Sequence, residues 1–249
     1  MNEGDFIIVD NNIEVGTDKA TLTLQDGTNI TLEKGQNYIT NNITSNGEKI
    51  VYETPITIKK QIAYNYLTIP RGGQYHLKLE DGTEVWLNSE SQLKYPVNFI
   101  DDETRQVELV YGEAYFDVSP SSNHKGSRFK VLSNKQEVEV LGTEFNIKAY
   151  KDETMVYTTL VEGKVKVKTD TQNRMLAPNQ QSIVDINNKN IEIANSNVRN
   201  EVAWVNGEVI LQHKNLKEIM KVLSRWYDME VIFANKDLEN VRFIGVLGK

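Results

Sequence analysis

The chain of 249 residues contains no cysteine. That removes disulfides, thiolate metal sites and thiol nucleophiles. It leaves the compartment open, because an exported protein need not carry any. Histidine is nearly as scarce. His76, His124 and His213 lie far apart in no ligand spacing, and a metal site needs a cluster of defined geometry. Long apolar runs are missing too. No window reaches eighteen apolar residues, so no membrane-spanning helix is expected. The acidic opening MNEGDFIIVD lacks the basic region and apolar core of an export signal. Finally, there is no excess of positive charge. With 28 Lys and Arg against 35 Asp and Glu, the net charge of −7 argues against nucleic acid as a partner, although a local basic patch remains compatible with it.

What is present is strand pattern. In the stretch Leu67 to Val118, Tyr75, Leu77 and Leu79 point one way and His76, Lys78 and Glu80 the other. Asp81-Gly82 reverses the chain, since glycine tolerates the positive φ of a tight hairpin turn. Val85 and Leu87 resume the alternation, with Trp86 opposite in phase. This is a hairpin with one wet and one dry face. Ala20 to Leu32 is a second hairpin, turning at Asp26-Gly27. Both share the frame Leu-x-Leu-x-Asp-Gly-Thr, which starts at Leu22 and again, 55 residues on, at Leu77. Such a repeat suggests stacked β units, in a solenoid or a sandwich.

Elsewhere, Phe6 to Val9 reads as a leading strand or tail. Tyr52, Ile56 and Ile58 suggest an edge strand that Pro55 keeps off the sheet centre, and Asn-rich turns fall at 41–42 and 46–47. Ser89 to Pro96 reads as a loop and Tyr111-Gly112-Glu113 as a turn. Further strands are expected at Phe129–Leu132, Val138–Leu141, Glu144–Tyr150, Val156–Leu160, Val165–Lys168, Gln180–Ile186 and Ile191–Ile193, with residues 170–179 a turn and no helix before residue 210. Leu216, Ile219, Met220, Leu223, Trp226 and Tyr227 then recur at helical spacing. Asn215 and Glu218 supply the chemistry of a capping box. Flanking strands at Val209–Leu211, Glu230–Phe233 and Val241–Val246 complete a small β-α-β lobe.

No catalytic constellation stands out. Asp101-Asp102-Glu103 lacks the frame of a calcium loop. Glu113 and Asp117 are four apart on one strand face, a spacing open to glycoside hydrolysis, but strand-surface charge is the favoured reading. There is no Gly-x-Ser-x-Gly elbow, and Gly72-Gly73 is followed by no phosphate-loop Lys-Ser/Thr. Trp86 is either a stacking residue on the surface or buried on the second face. The helix stripe ending at Trp226-Tyr227 is core. No cofactor or metal is implied.

A run of motifs follows in fixed order: Pro70-Arg71-Gly72-Gly73-x-Tyr75, Leu79-x-Asp81-Gly82-Thr83-x-Val85-Trp86-Leu87-Asn88, Ser91-x-Leu93-x-Tyr95-Pro96, Arg105-x-Val107-x-Leu109, Gly112-Glu113-Ala114-Tyr115-Phe116-x-Val118, Phe129-x-Val131, Val140-Leu141-Gly142-Thr143-x-Phe145-Asn146 and Thr159-Leu160-Val161-Glu162-Gly163-x-Val165. Together they resemble the periplasmic part of FecR-like anti-sigma regulators of the Bacteroidetes type. The tail, with Ala203-Trp204-x-x-Gly207, Leu216-x-x-Ile219-Met220 and Arg225-Trp226-Tyr227, is similar to the domain that follows in that family, itself like the short N-terminal signalling domain of secretins and TonB-dependent receptors. Ala177-Pro178-Asn179-Gln180-Gln181 departs from the family's Pro-Gly-Gln, with Asn taking the left-handed position, and Tyr111 intrudes before Gly-Glu-Ala.

The resemblance implies a mainly β protein: an elongated β-sandwich or β-solenoid-like FecR domain at 67–200, an N-terminal β segment at 1–66 packed on it, and a secretin/TonB-like α/β lobe at 201–249 whose last elements are missing. It implies a non-enzymatic sensor in the periplasm, from a parent anchored in the inner membrane. That sensor would bind the signalling domain of an outer-membrane TonB-dependent transporter and relay its state to an ECF sigma factor through a cytoplasmic segment absent here. On this reading an edge strand accepts a partner strand, and Val241, Phe243, Ile244, Val246 and Trp86 are the expected contact residues. A carbohydrate-binding or adhesion module, with Trp86, Trp204 and exposed tyrosines as platforms, is the alternative; a β-helix polysaccharide-cleaving enzyme using Glu113 and Asp117 is a weaker third.

Overall fold

The two Leu-x-Leu-x-Asp-Gly-Thr frames fold alike in the computed structural model, which describes residues 13, 16–39, 43–52 and 63–248. In the first, the Gly27 N–H donates to Leu24 O and the Leu24 N–H to Thr28 O, both at 2.9 Å; in the second, Gly82 donates to Leu79 O at 3.0 Å and Leu79 to Thr83 O at 2.9 Å. Asp26 and Asp81 each accept the N–H two residues on, and both glycines have φ of +84°, where a Cβ would be strained. The repeat in the sequence is therefore a repeat in structure.

These frames belong to a stack of strands: β1 (Thr17–Thr23), β2 (Asn29–Glu33), β3 (Tyr38–Ile39), β4 (Ile43–Ser45), β5 (Lys49–Tyr52), β6 (Tyr64–Ile69), β7 (Gly73–Lys78), β8 (Glu84–Leu87), β9 (Ser91–Pro96), β10 (Arg105–Asp117), β11 (Phe129–Ser133), β12 (Gln136–Val140), β13 (Glu144–Ala149), β14 (Met155–Glu162), β15 (Val165–Lys168), β16 (Asn173–Leu176), β17 (Gln180–Asp185) and β18 (Ile191–Asn195). One layer runs β2-β1-β6-β9-β10-β11-β12-β15-β16. The other runs β3-β4-β5-β7-β8-β10-β13-β14-β17-β18. A single apolar core between them takes alternate residues from both, including Leu22, Leu67, Leu77, Leu93, Phe116, Phe129 and Phe145, as expected of packed sheets.

β10 belongs to both layers. Its register shifts between Leu109 and Tyr111, and Gly112 lies at φ +99° with an added Cβ only 2.1 Å from Ser91 Oγ. A bulge and a glycine at a close approach let one strand bend from sheet to sheet. The expected turn at Tyr111-Gly112-Glu113 is thus a bend inside one long strand.

Other expectations also change. Ser89 to Pro96 is mostly strand: Leu93 and Tyr95 are fully buried opposite Gln92 and Lys94, and β9 is paired on both sides. Its polar composition hid that alternation. Residues 170–179 contain β16. A short helix, α1 (Val198–Val202), and a 3₁₀ turn, Ala203–Asn206, precede residue 210. Asn179 does take positive φ, at +66°. Phe6 to Val9, Asn41-Asn42, Pro55, Ile56 and Ile58 lie outside the described residues.

The C-terminal lobe holds β19 (Glu208–Ile210), β20 (Lys214–Asn215), α2 (Leu216–Trp226), β21 (Arg242–Phe243) and β22 (Val246–Gly248). The capping box at Asn215 and Glu218 is formed, with bonds of 2.9 Å in each direction. Glu230–Phe233 makes no strand. Val241–Val246 is not one strand: Gly245 breaks it, so that β21 pairs with β20 and β22 with β19.

Candidate functional site: the junction between the β stack and the C-terminal lobe

The end of α2 is gripped by the β stack. Helix ends leave carbonyls without partners, and here the Pro70-Arg71-Gly72-Gly73 turn supplies donors. Arg71 Nη2 donates to Ser224 O at 2.8 Å and to Met229 O at 2.7 Å, and the Gly72 N–H donates to Arg225 O at 2.7 Å. The approach is close: a Cβ on Gly16 would meet Gly72 O at 2.4 Å and Trp226 O at 2.5 Å. Two motifs about 150 residues apart in the sequence are therefore one contact.

Arg225 is buried and held from three sides. Its guanidinium reaches Glu90 at 3.3 Å, Asp152 at 2.5 Å and Glu153 at 3.2 Å, and lies 3.5 Å from the centroid of the Tyr150 ring. Lys148 and Lys221 also contact Glu153, at 3.2 and 3.3 Å. For Glu153, burial raises the carboxyl pKa, but Lys148, Lys221 and Arg225 outweigh it and hold the group below its usual value. Asp152 behaves likewise: the Lys221 bond and the Arg225 charge overcome burial.

Beside this cluster, two tryptophans set the polarity of a buried network. Trp226 Nε1 donates to Asn88 Oδ1 at 3.0 Å, and Trp204 Nε1 donates to Asn146 Oδ1 at 3.2 Å. An indole N–H can only donate, so each asparagine must turn its carbonyl to the tryptophan and its NH₂ away. Both NH₂ groups meet Glu113, Asn146 at Oε1 (3.0 Å) and Asn88 at Oε2 (2.9 Å), and the Tyr150 hydroxyl adds a third donor at 3.3 Å. Burial raises the Glu113 pKa against the pull of Lys148, Asn146 and Asn88, yet the donors around it match the carboxylate. The cavity left there is about 60 Å³, room for a water or two and not for a substrate.

Glu113 and Asp117 therefore form no acid pair. Asp117 lies toward Glu144 and Glu84, whose charges add to burial in raising its pKa. The histidines are likewise apart in role: His76 stacks on Trp86 with centroids 4.2 Å apart, and His124 bonds Ser119. Among the described residues no group of three His, Cys, Asp or Glu is arranged to hold a metal.

The expected contact residues fall in two places. Trp86 is half-buried between His76 and Tyr115 and packs against the apolar cluster of the lobe. Trp204 is buried there as well, so two platforms of the carbohydrate reading are engaged internally. Val241, Phe243, Ile244 and Val246 are exposed, at 44%, 39%, 75% and 55%. Ile232, Leu238 and Leu247 of the same lobe are exposed as well. β21 and β22 are each paired on one side only among the described residues.

The chain matches the family described as FecR protein over residues 65–166 and that described as FecR, C-terminal, over residues 208–249. The chain belongs to the FecR family. It is similar to a candidate anti-sigma factor from Parabacteroides distasonis, known from crystals at 1.65 and 2.50 Å resolution. Identity is 29% in both cases, over 74% of this chain and 84% of that one, with TM-scores of 0.65 and 0.63. No curated protein matches the sequence. FecR membership places the chain among anti-sigma regulators, whose partners are proteins. Among the described residues no helix is long and apolar enough to cross a membrane.

Sequence reasoning found Trp226 as core and the Arg225-Trp226-Tyr227 and Pro70–Gly73 motifs as family marks, but not that they touch. It read Glu113 as strand-surface charge. Nothing local to the strand marked it otherwise, because its donors Asn88, Asn146 and Tyr150 are distant in sequence.

Proposed function

We propose that this FecR chain is the periplasmic sensor region of a transmembrane anti-sigma regulator, binding the signalling domain of an outer-membrane TonB-dependent transporter and relaying its state to an ECF sigma factor. The division of labour follows 1–66 and 67–200 as the β body and 201–249 as the docking lobe, with no bond-breaking step. The observation that carries the reading is the lobe itself. It exposes seven large apolar side chains, of which Phe243, Val246 and Leu247 lie on short strands that are paired on one side among the described residues. Apolar patches of that kind mark interaction sites, and open strand edges accept partner strands. The junction adds a route inward, since the helix that carries the lobe is fixed to the β body through Arg225 and Trp226.

Co-purification of residues 1–249 with a transporter signalling domain tests the reading. Capture by wild type and its loss in Phe243→Asp supports it. Unaltered capture by that variant removes the assigned surface, and absence of capture removes the transporter as partner.

A further inference from the structure

The turn joining β12 to β13 and the turn joining β14 to β15 line a further concavity, of about 530 Å³. That volume is typical of a ligand-sized pocket. Its apolar lining is unusual for a turn. Leu141 is 58% exposed, and Met175 on β16 is 55% exposed. The floor is fixed. Gly142 (φ +150°) would place a Cβ 2.9 Å from Pro120 Cα, and Gly163 (φ +93°) would place one 2.8 Å from Thr143 Oγ1. Thr143 Oγ1 also donates to Lys164 O at 3.1 Å. Leu141 is thus held out of the core by backbone packing.

The rim is basic on an acidic chain. Arg128, Lys164 and Lys166 line it, with Glu139 the one carboxylate, engaged by Arg128 at 2.7 Å. Among the described residues neither lysine ammonium has an ion-pair partner. Beside the groove, β16 pairs with β15 alone among the described residues, so its outer edge offers backbone donors and acceptors that a peptide satisfies and a lipid does not.

We propose that this groove is a second protein-docking site, which receives an extended acidic peptide segment whose apolar side chain seats between Leu141 and Met175. Lys164 and Lys166 meet its carboxylates, and β16 pairs with its backbone. The site is independent of the lobe surface assigned to the transporter.

The test is a random peptide library displayed on phage, selected on the whole 249-residue protein. Peptides carrying a large apolar residue flanked by two or more acids are expected to be enriched. Their binding should fall about tenfold or more in Lys164→Glu, at an exposed position that spares the fold, and in the half-buried Lys166→Gln, and should weaken with salt. Leu141→Ser should remove the apolar preference. Enrichment of no sequence, enrichment without acids, or binding unchanged in these variants overturns the proposal. So does binding of phosphatidylglycerol vesicles at this groove with no peptide selected, which would assign it to a membrane surface.

Discussion

Trp226 and Asn88, 138 residues apart, share a 3.0 Å hydrogen bond that closes the lobe onto the β stack. Its strength as a contact comes from what stands behind it. Asn88 is oriented by Glu113, and the same carboxylate orients Asn146 for Trp204. Trp226→Phe loses the donor and part of the buried ring, and should lower stability by about 2 kcal/mol. Trp226→Ala opens a cavity and should cost about 3–5 kcal/mol. Hydrogen exchange of the α2 amides, compared with those of β13, reports whether the loss falls on the lobe.

Arg225→Met leaves Glu90, Asp152 and Glu153 facing an apolar side chain. Removing one partner from a buried ion cluster costs about 3 kcal/mol. Lys148 and Lys221 remain as partners of Glu153, so the β stack should keep its unfolding midpoint in urea while the lobe exchanges faster. Equal loss in both parts would show that the lobe is integral to the core and not docked on it.

The junction should be acid-sensitive in a defined sense. Asp152 and Glu153 have folded pKa values below their ordinary 3.8 and 4.5. Their contribution is therefore complete above those values and lost as pH falls through the lowered folded ones. Glu113 runs the other way. Burial raises it above 4.5, so ionising it costs stability as pH rises from there. The advantage of wild type over Glu113→Gln should be larger near pH 4.5 than at neutral pH, as measured by urea unfolding at both.

Gly112→Ala should be among the costliest single changes in the β stack. The new Cβ meets Ser91 at 2.1 Å from a backbone with φ of +99°, and strain with backbone displacement should cost more than about 2 kcal/mol. Gly27→Ala shares the positive φ but has nothing within 4 Å, and should cost only about 1 kcal/mol. Thermal unfolding of the two variants separates steric from conformational strain.

Alternation and turn chemistry carried most of the β architecture. The two Asp-Gly hairpins, the strands from Phe129 to Val167 and the capped helix at Leu216 all follow from local pattern, because local pattern decides which face is wet. The misread segments share a cause. Ser91–Pro96 and Gly112 look like loop and turn by composition, yet pairing with strands distant in sequence holds them extended. Val241–Val246 reads as one apolar strand, but partners β20 and β19 lie on different lines, and Gly245 allows the break. Glu113 was invisible as a buried acceptor because the groups that make it one, Asn88, Asn146 and Tyr150, are assembled only by the fold. The motifs that carried the FecR resemblance turn out to be the junction: Arg71, Gly72, Asn88, Glu113, Asn146, Trp204, Arg225 and Trp226 all meet there.

Isothermal titration of the 249-residue protein with a purified transporter signalling domain, alongside the Phe243→Asp variant, tests the central claim most directly. The account predicts saturable heat for wild type and none for the variant at matched thermal stability. Equal heats for both, or binding of soluble glycans with no response to the signalling domain, would contradict it.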